Sequence, residues 1–329
     1  MKAMFLLNPD YFDRVYPAVL RDEIRQYMQV EDRVYSADEV QANPSLLEDV
    51  DAIFSSWGMI ELNEAILAKA PNLKIVFYGS GSIRHFTPPA FWQRGIRVTS
   101  AYTVNGEYVA YFTLAQILLS LKRFWYYVNQ YKQHRETWQR VPIPGMYRSK
   151  IGIISLGAIG RQVCQLLRAF PLDVYAYDPF WSQERADTLG VTLLPLEEVF
   201  RTCDVVSLHT PWLPETVGMI TGGLLSSMKE NATFINTARG AVVREEELIA
   251  VLQQRPDLTA LLDVTWPEPP AKDSPLFTLP NVVLSPHIAG SMDGEITKMG
   301  ELMVAEMKRW LAGEPMLNEI NEHQAKILA

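Results

Sequence analysis

An α/β chain built from two doubly wound parallel sheets is what this sequence predicts, on three observations. Short apolar, β-branched runs alternate with amphipathic stretches along nearly the whole chain, the pattern of helices separating parallel strands. Residues 150–179 read as strand, glycine turn, helix and second strand. A length of 329 residues leaves room for about two domains with cores of their own.

Taken in order, strands are expected at residues 4–7, 52–54, 75–77 and 96–98, with helices near 16–28 and 63–70. These units suffice for one sheet. The strand at Ile75 runs into Tyr78, Gly79, Ser80, Gly81 and Ser82, a small-residue loop at a carboxyl end, where open parallel sheets bind ligands. By itself that loop reads equally as a plain turn before a helix. From residue 106 to about 134, Phe112, Leu114, Ile117, Leu118, Leu121, Phe124 and Trp125 predict one long helix. Its apolar character exceeds one face, as in a helix buried in a large core or against another subunit. Val141-Pro142-Ile143-Pro144-Gly145 is a stiff connector.

Ile151-Gly152-Ile153-Ile154 has the composition of a strand buried on both faces. Gly157 and Gly160 follow, then Ile159, Val163, Leu166 and Leu167 at helical spacing, so the glycines mark a helix N-terminus. The free N–H groups and positive dipole end there suit a pyrophosphate. The next strand, Val174-Tyr175-Ala176-Tyr177, ends in Asp178, about 20 residues beyond the turn, from where a carboxylate can hydrogen-bond an adenosine ribose. That acid favours NAD, because it would repel the 2′-phosphate of NADP. The first glycine of the G-x-G-x-x-G fingerprint is replaced by Ser155. Glycines in such a turn are often turn chemistry alone, so the motif needs support from elsewhere in the chain.

The net charge of -8, with no basic cluster, argues against a nucleic-acid surface. Cys164 and Cys203 have no metal-ligand spacing and read as buried thiols in a reducing compartment; no metal is expected. The N-terminal apolar run is too short for a secretion signal, and residues 110–121 are too few to span a membrane. A cytoplasmic protein handling a small molecule is expected.

Further strands are expected at residues 205–208, 233–235, 260–262 and 282–284, and a last helix at about 293–311. Each strand ends in polar residues: His209-Thr210-Pro211, Asn236-Thr237-Ala238-Arg239-Gly240, Asp263, and Ser285-Pro286-His287. Parallel strands bring such ends to one edge, so Arg239 and His287 can meet there. Trp266-Pro267-Glu268-Pro269-Pro270 adds a carboxylate in a proline-bracketed loop. Singly, each residue has a plain explanation as a core, capping or solvated side chain; their coincidence points to a site.

Residues 155–160 with Asp178, Leu208 to Pro211 with Glu215 and Thr216, residues 235–240, Asp263 to Pro269, and residues 285–290 together resemble the D-isomer-specific 2-hydroxyacid dehydrogenases. The resemblance covers residues 75–290 in the family's order and spacing. It implies a flavodoxin-like substrate domain, residues 1–102 with 295–329, into which a Rossmann NAD domain, residues 103–294, is inserted. The helix after Gly106 resembles the family's dimer helix and implies a homodimer.

The same resemblance implies a catalytic triad of Arg239, Glu268 and His287. Arg239 would hold the carboxylate and carbonyl oxygen of a 2-keto acid, as a planar guanidinium does well. His287, the side-chain type that exchanges protons near neutrality, would be the general acid, with Glu268 orienting it. Cofactor contacts would come from Ser155, Leu156, Gly157, Ala158, Ile159, Gly160, Asp178, His209, Thr210, Pro211, Thr216, Thr237, Ala238, Arg239, His287 and Gly290, with Asp263 on the nicotinamide carboxamide. Backbone N–H groups of Ser80, Gly81 and Ser82, with Arg239 and His287, would bind the substrate. The chain departs from the family pattern at Ser155, at Ile83-Arg84-His85-Phe86, at Tyr111 and at Arg244. A cation at Arg84 or His85 would favour a polar or anionic group on the third carbon, as in hydroxypyruvate or a phosphorylated acid.

The expected activity is NAD-dependent reduction of a small 2-keto acid to the D-2-hydroxy acid. Glyoxylate/hydroxypyruvate reductase and phosphoglycerate dehydrogenase-like activities remain open within that class. Outside it stand a non-catalytic NAD-sensing interaction protein and an adenosylmethionine-dependent methyltransferase.

Overall fold

The computed structural model describes residues 1–135 and 141–327. The chain divides into two compact units, Met1–Asn105 with Ser291–Ala329, and Gly106–Gly290.

The first unit holds five parallel strands, β1 (Lys2–Leu6), β2 (Gln29–Tyr35), β3 (Ala52–Ser55), β4 (Ile75–Tyr78) and β5 (Arg97–Ser100), in the order β2-β1-β3-β4-β5. This is the flavodoxin-like order. Successive side chains of β1 enter opposite cores: Ala3 and Phe5 pack with Phe54 and Phe77, Met4 and Leu6 with Ile53 and Val76. Both faces are covered, hence the unbroken apolar runs. Helix Gly294–Leu311 contributes Ile296, Met299, Met303, Val304 and Met307 to the first of these cores. It approaches so closely that a Cβ on Gly300 would stand 1.8 Å from the Val15 carbonyl oxygen. β2, QVEDRVY, escapes the sequence reading because it is an edge strand whose charged residues face water, so it lacks an apolar run.

The second unit holds seven parallel strands, β6 (Lys150–Ile154), β7 (Asp173–Tyr177), β8 (Thr192–Leu193), β9 (Val205–Leu208), β10 (Thr233–Asn236), β11 (Thr259–Leu262) and β12 (Val282–Leu284). Their order is β12-β11-β10-β9-β6-β7-β8, the Rossmann arrangement with a strand added at one edge. The strand order reverses between β6 and β9, which pair from Ile151 with Val205 to Ile154 with Leu208. The two-residue β8 is too short to leave a periodic signal.

The single helix expected over residues 106–134 is two helices, Tyr102–Ser120 and Phe124–His134. Arg123 between them takes a left-handed conformation, φ 49°, with its guanidinium 4.2 Å from the Tyr126 ring. Neither Gly nor Pro marks this break, at which Leu121 and Arg123 are buried. The buried stripe of the first helix, Gly106, Val109, Ala110, Thr113, Ile117 and Ser120, covers one face only. Among the described residues no helix is long and apolar enough to cross a membrane.

Candidate active site

β6 ends at the switch point, and its turn is laced to the end of β7. Ser155 N–H donates to Tyr177 O at 2.8 Å, and Leu156 N–H to Asp178 Oδ2 at 2.7 Å. Ser155 has φ +75°, the left-handed region where glycine is at ease, which explains the glycine usual at this point of the fingerprint. Its hydroxyl lies 2.9 Å from Thr210 Oγ1, joining the turn to the end of β9. The two retained glycines do different work. A Cβ on Gly160 would stand 2.1 Å from Ser155 O, so Gly160 lets helix Ala158–Leu167 pack on the turn; one on Gly157 would meet nothing within 4 Å. No side chain caps this helix, so the N–H groups of Ala158, Ile159 and Gly160 are left for an anion. Asp178 Oδ1 also accepts from Phe180 N–H at 2.8 Å, so the carboxylate expected to meet a ribose is part of the turn as well.

At the end of β9, His209 is buried, with Nε2 3.0 Å from Ser207 Oγ, and burial pushes its pKa down to about 3. It is a neutral imidazole, unfit to supply a proton at ordinary pH. Thr216 Oγ1 accepts from Leu213 N–H at 2.8 Å and donates to Pro211 O at 2.6 Å, closing the loop that follows.

β10 delivers Arg239 through a clamp. Asn236 Oδ1 accepts from Ala238 N–H at 3.0 Å and its Nδ2 donates to Arg239 O at 3.2 Å, while Thr237 Oγ1 lies 3.1 Å from Thr113 Oγ1. The Arg239 guanidinium donates to Ala238 O at 2.6 Å and forms no ion pair among the described residues. Desolvation lowers its pKa, and the charge of Glu268 opposes the shift. A cation so poorly solvated fits an incoming anion.

β11 ends in Asp263, which is buried and whose carboxylate is taken up inside the protein. Oδ1 accepts from Ser285 Oγ at 2.6 Å and Ile288 N–H at 2.9 Å, and Oδ2 from Ala289 N–H at 2.9 Å. Asp263 O also accepts from His287 N–H at 2.9 Å. The residue expected on the nicotinamide therefore builds the turn that carries His287 and runs on to Gly290. His287 has φ +53°, and its Nδ1 lies 2.6 Å from Glu268 Oε1. That contact engages one ring nitrogen and fixes the orientation of the imidazole, with Nε2 as its other nitrogen. Both side chains are partly exposed, 49% and 39%. Asn236, Thr265 and Ser285 lie in the stretches singled out from the sequence but receive no role of their own there; in the structure they support the turns that carry Arg239, Glu268 and His287. The signal available was a polar residue at the end of an apolar strand.

In the first unit, Ser80 N–H is engaged by Tyr78 O at 2.8 Å, so Gly81 and Ser82 are left as backbone donors of the loop after β4. A Cβ on Gly81 would meet nothing within 4 Å. Arg84 lines a cavity with Thr87, Pro89, Trp92, Glu322, Ala325 and Lys326. The His85 ring lies 5.9 Å from that of Tyr78 and 5.1 Å from that of Phe86; desolvation lowers its pKa, and a backbone hydrogen bond at Ser82 opposes the shift.

Residues 114–289 match the family model described as D-isomer specific 2-hydroxyacid dehydrogenase, NAD binding domain. The D-3-phosphoglycerate dehydrogenase of Archaeoglobus fulgidus is 32% identical over 263 residues, 79% of this chain and 50% of the relative. That of Mycobacterium bovis is 34% identical over 258 residues, 78% and 48%. The chain thus spans about half the length of the curated relatives it matches. Among solved structures, a D-lactate dehydrogenase from Aquifex aeolicus, complexed with NAD and lactic acid, superposes with a TM-score of 0.72 at 26% identity, covering 95% of this chain and 96% of that one.

Proposed function

The chain belongs to the D-isomer specific 2-hydroxyacid dehydrogenase family, and from that premise we propose that it is an NAD-dependent dehydrogenase working mainly as a 2-keto acid reductase. The observation that carries this reading is the 2.6 Å contact of His287 Nδ1 with Glu268, beside an Arg239 guanidinium short of anionic partners. Arg239 holds the substrate's carboxylate and carbonyl oxygen. Glu268 fixes the imidazole, and His287 Nε2 gives its proton to the carbonyl oxygen, which becomes the hydroxyl. The nicotinamide, when bound, supplies the hydride that C2 receives. In the reverse direction His287 takes the hydroxyl proton.

The residues present fit NAD. The space before Gly157, the uncapped first turn after it and the Asp178 carboxylate suit a pyrophosphate and a ribose without a 2′-phosphate. The second unit is assigned to the cofactor and the first to the substrate, whose carboxylate Gly81 and Ser82 receive. A homodimer is assigned to the face after Gly106, where Tyr111, Phe124 and Tyr131 are exposed. Buried free Cys164 and Cys203 suit a reducing, cytoplasmic setting.

Arg84 and His85 follow the loop of Gly81 and Ser82, and a cation at either would favour a polar or anionic group on the third carbon, as in hydroxypyruvate or a phosphorylated acid. Phosphoglycerate dehydrogenase activity is the second reading, favoured by the names of the curated relatives. NADH oxidation with pyruvate, 2-ketobutyrate, glyoxylate, hydroxypyruvate and phosphohydroxypyruvate tests both. Turnover is expected, with hydroxypyruvate above pyruvate; preference for the phosphorylated acid selects the second reading, and no turnover with any overturns both in favour of a binding module.

A further inference from the structure

Glu268 reaches His287 from a loop with few backbone donors of its own. In Trp266-Pro267-Glu268-Pro269-Pro270 three residues lack an N–H, so Trp266 and Glu268 are the only donors. Trp266 N–H donates to Glu245 Oε2 at 2.8 Å, and Thr265 Oγ1 donates to Pro267 O at 2.8 Å. Glu245 opens helix Glu245–Gln254, on the segment that follows Arg239. The same segment touches the loop one residue earlier: a Cβ on Gly240 would stand 2.0 Å from the Thr265 carbonyl carbon. The chain after Arg239 therefore holds the Glu268 loop at two points, by backbone contact at Thr265 and by a carboxylate at Trp266. A hydrogen bond to a carboxylate is about twice as strong as a neutral one. Desolvation raises the Glu245 pKa, and the Trp266 N–H opposes that shift, as for a carboxylate committed to one donor. The Trp266 ring, 52% exposed, adds an edge-on contact with Trp212 at 4.7 Å.

We propose that Glu245 is a positioning residue, holding the 266–270 loop so that Glu268 meets His287 Nδ1 in register with Arg239. The inference rests on the dehydrogenase reading of this site and adds a residue that acts through Glu268 without touching substrate.

The test compares Glu245→Ala and Glu245→Gln, each alone and combined with Glu268→Gln, by steady-state kinetics and by hydrogen exchange at the Trp266 amide. Glu245→Ala is expected to lower kcat roughly tenfold or more with substrate KM within about twofold, and to add little once Glu268→Gln is present. Glu245→Gln, whose amide oxygen still accepts from Trp266, is expected to restore kcat to within about threefold. Additive losses, or equal losses from Ala and Gln, would overturn the proposal by reducing Glu245 to general stability. Exchange at Trp266 should quicken by about tenfold in Glu245→Ala; an unchanged rate also overturns it. Should the unmodified protein turn over no 2-keto acid, the dehydrogenase reading fails, and the exchange result alone decides whether Glu245 holds the loop.

Discussion

Among the residues of the second unit that hold a side chain in the left-handed region, two stand in turns that follow sheet strands, Ser155 after β6 at φ +75° and His287 after β12 at φ +53°. Such a conformation costs a non-glycine residue on the order of 1 kcal/mol or more. Both turns are braced in the same way, by an aspartate at the end of the adjoining strand accepting the backbone N–H groups that follow. Asp178 takes Leu156 N–H, and Asp263 takes Ile288 N–H and Ala289 N–H. They differ in what the strained side chain does. Ser155 stands where glycine would serve, whereas His287 is the residue whose ring meets Glu268. Strain at the first turn comes with a hydroxyl contact to Thr210; at the second it comes with aiming the imidazole at Glu268.

Replacing His287 by Ala should produce the largest effect, a fall in kcat of about 10²–10⁴ with NADH affinity changed little, as for loss of a general acid. Stopped-flow turnover and NADH titration measure the two. Normal turnover would put the proton on another group and erase the distinction between the turns.

Asp263→Ala strips acceptors from two backbone N–H groups and the Ser285 hydroxyl, a loss of about 3 kcal/mol or more at a buried site. Thermal unfolding should shift down by several degrees and kcat should drop with it. A variant as stable as the parent would mean that the β12 turn holds itself.

His209 is the control histidine, close to the site but without its exposure. Its folded pKa of about 3 lies below the unfolded value of about 6.5, so the unfolded chain binds the extra proton first. The stability it contributes is complete above about pH 6.5 and drains away as pH falls towards 3, by at most a few kcal/mol. His209→Asn should flatten that acid slope in urea titrations and leave the pH profile of kcat in place. A displaced profile would make His209 a participant.

The unmodified protein should prefer NAD to NADP, and Asp178→Asn, which keeps an acceptor for Leu156 N–H but not the charge, should narrow the preference about tenfold or less. Equal use of both cofactors before mutation would refute the assignment of Asp178.

Ser155→Gly should do least. Relief of the left-handed strain, about 1 kcal/mol, is offset by the lost Thr210 hydrogen bond and the greater freedom of the unfolded chain, each of similar size. Melting temperature and NADH affinity should stay near those of the parent. NADH binding gained only by this variant would show that the native turn is a disabled site.

The sheet strands other than β2 and β8 were legible because strands buried on both faces must be continuously apolar, and the residue after each such run must lie at a carboxyl end. Arg239 and His287 stand in such strand-end stretches, but the triad of Arg239, Glu268 and His287 came from the resemblance to the family, and nothing in spacing alone brings Glu268 within hydrogen-bond distance of His287. The charged edge strand β2 and the helix break at Arg123 were hidden, since one lacks an apolar run and the other lacks a glycine or proline.

By itself, then, the sequence determined a pair of parallel α/β sheets, a glycine turn suited to a dinucleotide and the strand ends where the chemistry collects, because periodicity and chain order encode these locally. Tertiary structure alone decided which polar groups are free to act. Asp263 and Ser80 turned out to be engaged internally, His209 to be buried and neutral, and Arg84 to line a cavity of its own. Each outcome depends on partners or packing that local pattern does not specify: Asp263, for example, meets Ala289 across 26 residues of chain. No local pattern carries that distance.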